Sequence, residues 1–337
     1  MSTSFCREEF FLMTLDPVHV GAGAQRLGRV DLSIVREPGT RLPKIPGTSL
    51  NGAIRQYAAY CYGSLRCAGA GQGDGDKAHC RDEKCPICYT FGYLRGQDGG
   101  QSGTVNIGDA RLLLFPVYSL AGPVWVTSPT ILREFGWQGG DPGNQVRLGT
   151  GIQEHSHFNL GWLMLEKADV PFEWPTDKIS HVPDEITTRT ALVSDKLFSQ
   201  IVNSNLEVRT SVSIDPETGA AAEKALFTYE AIPRATLLWT TIVQDDYRNK
   251  FPETSKKCKI ETDETNGGLK KRFTHNDGDP LAETWKSPLD VVRAGLGLAE
   301  LLGIGGMGTR GFGRVRLLKS KTNSEAEKSE IEEGAAP

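Results

Sequence analysis

Apolar positions recur at two different periods along the chain, and the places where the period changes mark the elements. EFFLMTLDPVHVGAG, close to the N-terminus, is a strand-forming run that ends at a glycine-rich turn from Gly21 to Gly23. A polar loop carrying Arg29, Asp31, Arg36 and Glu37 follows. In KIPGTSLNGAIRQYAAYCYG the spacing becomes helical, with Leu50, Ile54, Tyr57, Ala58 and Cys61 on one side and Thr48 or Ser49 placed to cap the start. Residues 63–104 then exchange large aliphatics for Gly, Asp and Cys, as in an insertion organised by something other than an apolar core. VNIGDARLLLFPVYSL returns to a buried strand and a turn, and TSPTILREF predicts a short helix opening at Ser128.

Residues 140–190 are polar, with scattered Trp, His and Pro and no clear period, and are expected to form an inserted lobe. Ser194 is placed to cap a further helix through Phe198 and Ile201. LEVRTSVSIDPETGAAAEKALFTYEAIP predicts two strands around a turn at DPETG, a hairpin over 205–232, and ATLLWTTIV a core strand. Residues 245–280 are polar and carry Lys256, Lys257, Lys259, Lys270, Lys271 and Arg272, the composition of a mobile basic loop. SPLDVVRAGLGLAELLG has a capped, helical pattern and leads into GIGGMGTRGFGRVRLL, a glycine-rich turn and last strand; residues 319–337 read as a disordered tail. This order predicts one α+β domain over 8–318, with a ferredoxin-like core and large insertions.

The chain has 337 residues and a net charge of −4, which argues against a uniformly basic protein that coats nucleic acid. Three Lys and five Glu in the tail account for half of that charge, while Arg26, Arg29, Arg36, Arg41, Lys44 and Arg55 cluster near the N-terminus and Arg310, Arg314 and Arg316 near the end. Local positive surface is therefore expected. No run approaches the roughly 20 apolar residues that span a bilayer, and no signal peptide is evident, so a cytoplasmic protein with no membrane partner is expected.

Five of the seven cysteines lie between Cys61 and Cys88, a spacing unlike that of a disulfide-stapled domain. Cys85-Pro-Ile-Cys88 is a CxxC turn that brings two thiolates to one ion. Cys80 and Cys67 complete a structural zinc site, with His79 as the alternative fourth ligand. Four protein ligands leave no open position, so no catalysis is assigned to this zinc. No Ser-His-Asp or Cys-His grouping is present.

Backbone N–H groups at a helix start and in a glycine-rich bend are what a phosphate needs. PGTSL, with Thr48 and Ser49, and GIGGMGTRGFG, with Gly305 and Gly306, offer both. Arg36, Lys44, Arg55, Arg310 and Arg314 add charge and complete the candidate RNA-binding set. The plainer alternative is that these glycines only make a tight turn and a bulge.

LDPVHVGAG, VDLSIVREPGTRLPKIPGTSLNGAIR, GDARLLLFPVYSLAGPVWVTSPTILREF and GIGGMGTRGFGRV, in that order, resemble the RAMP superfamily, whose members build CRISPR effector complexes. FPVYSLAGPVWVTSP and LFTYEAIPRATLL are similar to the backbone endoribonuclease subunit of the type III-B, or Cmr, complex. The resemblance implies a palm core with a thumb-like hairpin, and as partners guide CRISPR RNA, target RNA, further copies of the chain in a filament and other type III subunits. It also implies a role in antiviral defence. Asp31 in RVDLSIVRE matches the family's catalytic aspartate, which cuts by 2′-hydroxyl attack as a base or as ligand of a divalent cation, Mg or Mn. His19 is a second catalytic candidate, and Glu230 a weaker one. Asn51 stands where family members usually carry a lysine, so either Arg55 or Lys44 replaces that contact or guide binding is weaker per subunit. A non-cleaving filament subunit and a standalone zinc hydrolase are the rival readings.

Overall fold

A computed structural model describes residues 5–23, 30–69, 80, 82, 84–94, 100–152, 156–221, 226–252 and 285–318. The expected basic loop beyond residue 252 and the expected tail lie outside the described residues, as does His79.

Strand β1 (Phe5–Thr14) buries Phe10, Phe11 and Leu12 in succession because it is covered on both faces. After the polar loop come β2 (Lys44–Ile45) and α1 (Gly47–Tyr62). The expected side-chain cap is not made. The helix starts at Gly47, which puts Thr48 and Ser49 inside the first turn, and the Gly47 N–H donates to Asp109 Oδ1 at 2.7 Å. Asp109 thus caps α1 from 62 residues away while also pairing with Lys44 Nζ at 2.5 Å.

Next follow α2 (Pro86–Phe91), the short pair β3 (Tyr93–Leu94) and β4 (Gly100–Gln101), then β5 (Val105–Ile107), β6 (Ala110–Ser119), β7 (Gly122–Thr127) and α3 (Pro129–Arg133). Residues 140–190, expected as an inserted lobe, carry regular structure although their sequence shows no clear period. They contain β8 (Gln145–Leu148), β9 (His157–Leu160), β10 (Leu163–Lys167) and α4 (Asp184–Thr187), and with β11 (Thr190–Leu192) the strands extend the main sheet. Phe158, Leu160, Phe172, Ile179 and Val182 are buried in its core.

Helix α5 (Asp195–Ser204) follows Ser194, whose side chain makes no capping bond; β12 (Glu207–Ser211) and β13 (Phe227–Ala231) pair antiparallel as a separate two-stranded sheet. The chain closes with β14 (Leu237–Asp245), α6 (Pro288–Leu302) and β15 (Val315–Leu317). Ser287 and Asp290 form a reciprocal capping box on α6.

The main sheet runs β15-β1-β14-β6-β7-β11-β8-β10-β9, and its first four strands are antiparallel to one another. Helices α1 and α6 follow β1 and β14 and pack on each other. They meet tightly at Gly295, where a Cβ would stand 2.3 Å from the Ile54 carbonyl oxygen, so any larger residue forces the helices apart. No helix among the described residues is long and apolar enough to cross a membrane.

Candidate functional site

Four segments meet at one place. Val18 exchanges backbone bonds with Ile232 just beyond β13, Leu32 bonds Thr228 and Glu230 in parallel, and the Gly306 N–H donates to the His19 carbonyl. The loop after β1, the Asp31 loop, β13 and the glycine-rich bend are therefore joined by backbone.

Asp31 lies exposed at the rim of this junction. Its Oδ2 accepts from the Thr228 amide at 2.7 Å and the Thr228 hydroxyl at 2.9 Å, and the Asp31 N–H donates back to that hydroxyl at 3.1 Å. These bonds, the amide first, hold the Asp31 carboxyl below the usual carboxylate range. Among the described residues nothing bonds Oδ1. The result is a fixed carboxylate whose charged form is favoured and which uses only Oδ2 for these bonds.

His19 is buried, and its Nδ1 lies 2.7 Å from the Glu230 carbonyl oxygen, which only accepts; Nδ1 therefore donates, and in the neutral ring Nε2 is the free acceptor. Tyr229 meets the imidazole edge-on.

Arg36, a candidate phosphate contact, is paired within the protein. Its Nη1 and Nη2 bond the Glu230 carboxylate at 2.6 and 2.8 Å, Nη1 also meets the Ile34 carbonyl, and Nε meets Asn203 at 2.9 Å. With side chains 15% and 10% exposed, Arg36 and Glu230 form a buried pair. Glu230 also accepts from the Ile34 N–H, so the pair braces the Asp31 loop. A charge this enclosed is held by its partner, so Arg36 spends Nη1 and Nη2 on Glu230 and the Glu230 carboxylate is engaged in turn.

Several other candidate cations are partnered too. Arg314 makes a two-bond pair with Asp16 at 2.5 and 3.0 Å, Arg55 Nε donates to the Cys67 carbonyl, and Lys44 holds Asp109. Arg310 is exposed and stands over the Phe227 ring. In the glycine-rich bend, Gly305 and Gly306 are at the surface, with Gly305 at φ +92° against the His19 carbonyl, where a Cβ would clash. The amides of Gly306, Arg310, Gly311 and Gly313 already donate within the protein, so part of the expected amide cradle is used internally. Thr48 and Asn51 are exposed on α1 and Ser49 is half-buried.

The metal-ligand candidates converge. Sγ atoms of Cys67, Cys80, Cys85 and Cys88 all lie within 4.8 Å of one another, with Cys67 to Cys85 at 3.6 Å and Cys80 to Cys88 at 3.9 Å. A tetrahedral site with Zn–S bonds of about 2.3 Å has S···S edges of about 3.8 Å, so the donor set and spacing fit zinc. Hydrogen bonds from Cys85 and Cys88 pull the Cys67 thiol down, and the same contacts push Cys85 and Cys88 up. Neighbouring thiolates disfavour one another unless a cation joins them.

Thr228 was invisible to sequence reasoning, since it meets Asp31 across 197 positions. Its only local signal is its place in FTYEA, where alternation turns it away from Phe227 and Tyr229.

The family model for the RAMP superfamily matches residues 11–316. The CRISPR system Cmr endoribonuclease Cmr4 of Pyrococcus furiosus is 28% identical over 253 residues, 69% of this chain and 79% of that protein. The CRISPR system Cms endoribonuclease Csm3 of Mycobacterium tuberculosis is 38% identical over 85 residues, 24% of this chain and 36% of that protein. Among solved structures, a cryo-EM structure of type III-B Cmr-beta bound to cognate target RNA contains a chain of TM-score 0.56 and 13% identity, with 93% of this chain and 96% of that one covered. A crystal structure of Cmr4 aligns at TM-score 0.56 and 20% identity over 94% and 100%. These likenesses share the mixed α+β fold described above, and the family match runs from β1 into β15. The chain belongs to the RAMP superfamily.

Proposed function

We propose that this chain is a guide-RNA-binding backbone subunit of a type III CRISPR complex and an endoribonuclease that cuts target RNA paired to its guide, with Asp31 as the acting carboxylate. The observation that carries the reading is Asp31 itself: exposed, ionised, fixed on Thr228 through Oδ2, with Oδ1 open. The names of the curated relatives, both endoribonucleases, support the activity.

A 2′-hydroxyl oxygen of the target attacks the adjacent phosphorus while its proton passes to Asp31 Oδ1. The P–O5′ bond breaks, giving a cyclic phosphate and, once the leaving oxygen is protonated, a 5′-hydroxyl. A divalent cation, if bound at the same carboxylate, would supply charge stabilisation for the cut. His19, with Nδ1 tied to the Glu230 carbonyl, stands beside the Asp31 loop as the second catalytic candidate. In A-form geometry the 2′-hydroxyl is not in line with its leaving group, so the β12–β13 hairpin acts as a thumb that displaces one nucleotide. Stacked copies of the chain, assembled with other subunits in the cytoplasm for antiviral defence, then cut at regular intervals.

The order β15-β1-β14-β6, with α1 after β1 and α6 after β14, supports a ferredoxin-like palm. The four cysteines hold structural zinc that organises the 63–104 insertion. Surface residues of the glycine-rich bend and of α1 contact guide RNA. Purified chain loaded with a synthetic guide should cut a complementary target into evenly spaced fragments with cyclic-phosphate and 5′-hydroxyl ends. Target that is bound but left whole would favour a non-cleaving filament subunit.

A further inference from the structure

The start of β1 borders a second cavity, remote from the Asp31 junction. Thr14, at the strand end that leads to His19, is nine residues from Phe5, roughly 30 Å along an extended chain. Phe5 and Asp245 are register partners on β1 and β14, so their side chains rise from one face of the sheet. Both line a cavity of about 510 Å³, together with Val243, Asn106 of β5, Asn51 of α1 and Ser102. That volume is within the range of small-ligand sites.

Asp245 is half-buried and lacks a donor. Its Oδ1 is closed to solvent and has no hydrogen-bond partner, and among the described residues its carboxylate makes no ion pair. Arg248, three positions on, gives Nη2 to the Tyr89 and Ser102 carbonyls instead. Leaving such a group unsatisfied costs stability, and its presence points to a donor supplied from outside the chain.

The other residues at the cavity narrow the class of that donor. Phe5 is 64% exposed beside the carboxylate. Asn51 and Asn106 are exposed, and their amides make no hydrogen bond among the described residues. No Lys or Arg is among the residues that line the cavity, so it offers a phosphate no charge. One carboxylate among neutral groups is also a poor set for a hard cation, which takes six or more oxygens. A planar heterocycle bearing an amino group fits better: the ring of Phe5 gives it a stacking face, Asp245 takes an amino N–H, and the amides meet its remaining edge.

We propose that this cavity takes one unpaired nucleobase with an exocyclic amino group, stacked on Phe5 and donating to Asp245, and disfavours uracil. In uracil the ring N–H is flanked by two carbonyl oxygens, which repel a carboxylate. The site goes beyond the guide-bound ribonuclease reading, because it stands apart from Asp31 and reads a base rather than a phosphate. The base belongs either to a single-stranded RNA segment or to a free nucleoside.

The test titrates the full chain, Asp245→Asn and Phe5→Ala with short oligocytidylate and oligouridylate, and with cytidine and uridine. Phosphate contacts elsewhere treat the two oligomers alike, so their affinity ratio isolates the cavity. Wild type should prefer the cytosine probe by about fivefold, the worth of one hydrogen bond. Asp245→Asn, whose amide can donate to a carbonyl, should abolish that preference without changing the salt slope. Phe5→Ala should weaken oligocytidylate binding about fivefold or more through lost stacking. Guide-directed cleavage by both variants should stay within about twofold of wild type, which a folding defect would not allow. A preference shown by nucleosides as well as oligomers supports the site with free nucleosides among its ligands, and one shown by oligomers alone supports it as a site for the RNA chain. Equal affinity for both bases in wild type, or a preference that survives Asp245→Asn, would overturn the inference. Either result beside normal guided cleavage leaves the ribonuclease reading intact, whereas a base preference in a chain that cannot use a guide would remove that reading and keep this one.

Discussion

Asp31 and Thr228, 197 residues apart, exchange three hydrogen bonds, two of them ending on a single carboxylate oxygen. The backbone amide anchors the carboxylate and the hydroxyl orients it, and both favour its charged form. Thr228→Val keeps the shape and the amide but deletes the hydroxyl. The Asp31 pKa should then rise towards its ordinary value, because a group that lowered it is gone. The acid limb of the cleavage profile should move to higher pH and the rate near neutrality should fall roughly 3- to 10-fold, with guide affinity unchanged. Single-turnover rates across pH 4–8 check this.

The Arg36–Glu230 pair makes an opposite kind of prediction, about folding rather than chemistry. Arg36→Met leaves an unpaired carboxylate at a position 10% exposed, and should cost about 3–5 kcal/mol in urea denaturation. Adding Glu230→Gln to that variant removes the stranded charge and should recover part of the loss. If the single variant is as stable as wild type, Arg36 is not held as described and is free to meet RNA.

Asp109 caps α1 and pairs with Lys44. Burial raises its pKa, but the Lys44 ammonium and the Gly47 amide outweigh that and hold it below 3.8. A depressed carboxylate pKa stabilises the fold above the unfolded value and loses that contribution as pH falls through the folded value. Thermal unfolding followed from pH 5 down to pH 2 should therefore weaken less steeply in Asp109→Ala than in wild type. At pH 7 the same variant should be about 1–2 kcal/mol less stable, from the lost cap.

Zinc analysis of the purified chain should find one ion per molecule, and a strong chelator should lower the unfolding temperature. Cys85→Ser should do the same without added chelator and reduce zinc content, because binding energy at such a site is folding energy. Full stability with no metal bound would assign the four thiols to apolar packing alone.

The parts of this molecule legible in its sequence are those whose physics is local. Ile54 and Tyr57 announce α1, Ser287 and Asp290 announce the start of α6, and the Cys85-Pro-Ile-Cys88 spacing announces the convergence of the four thiols. Asp31 is singled out in the sequence by the wording around it, not by any pattern of its own. What stayed hidden depends on distant partners. Strands β8–β10 are four or five residues long, and their burial comes from pairing with β11 and with one another, so no period survives in 140–190. Arg36 looks like a free cation until Glu230 arrives from 194 positions away, and Thr48 looks like a cap until Asp109 takes that place.

The central claim is that Asp31 performs the cut, and Asp31→Ala in the guide-loaded complex tests it most directly. The account predicts target binding equal to wild type and cleavage slowed at least about 100-fold. Cleavage at the wild-type rate and at the same positions would contradict it.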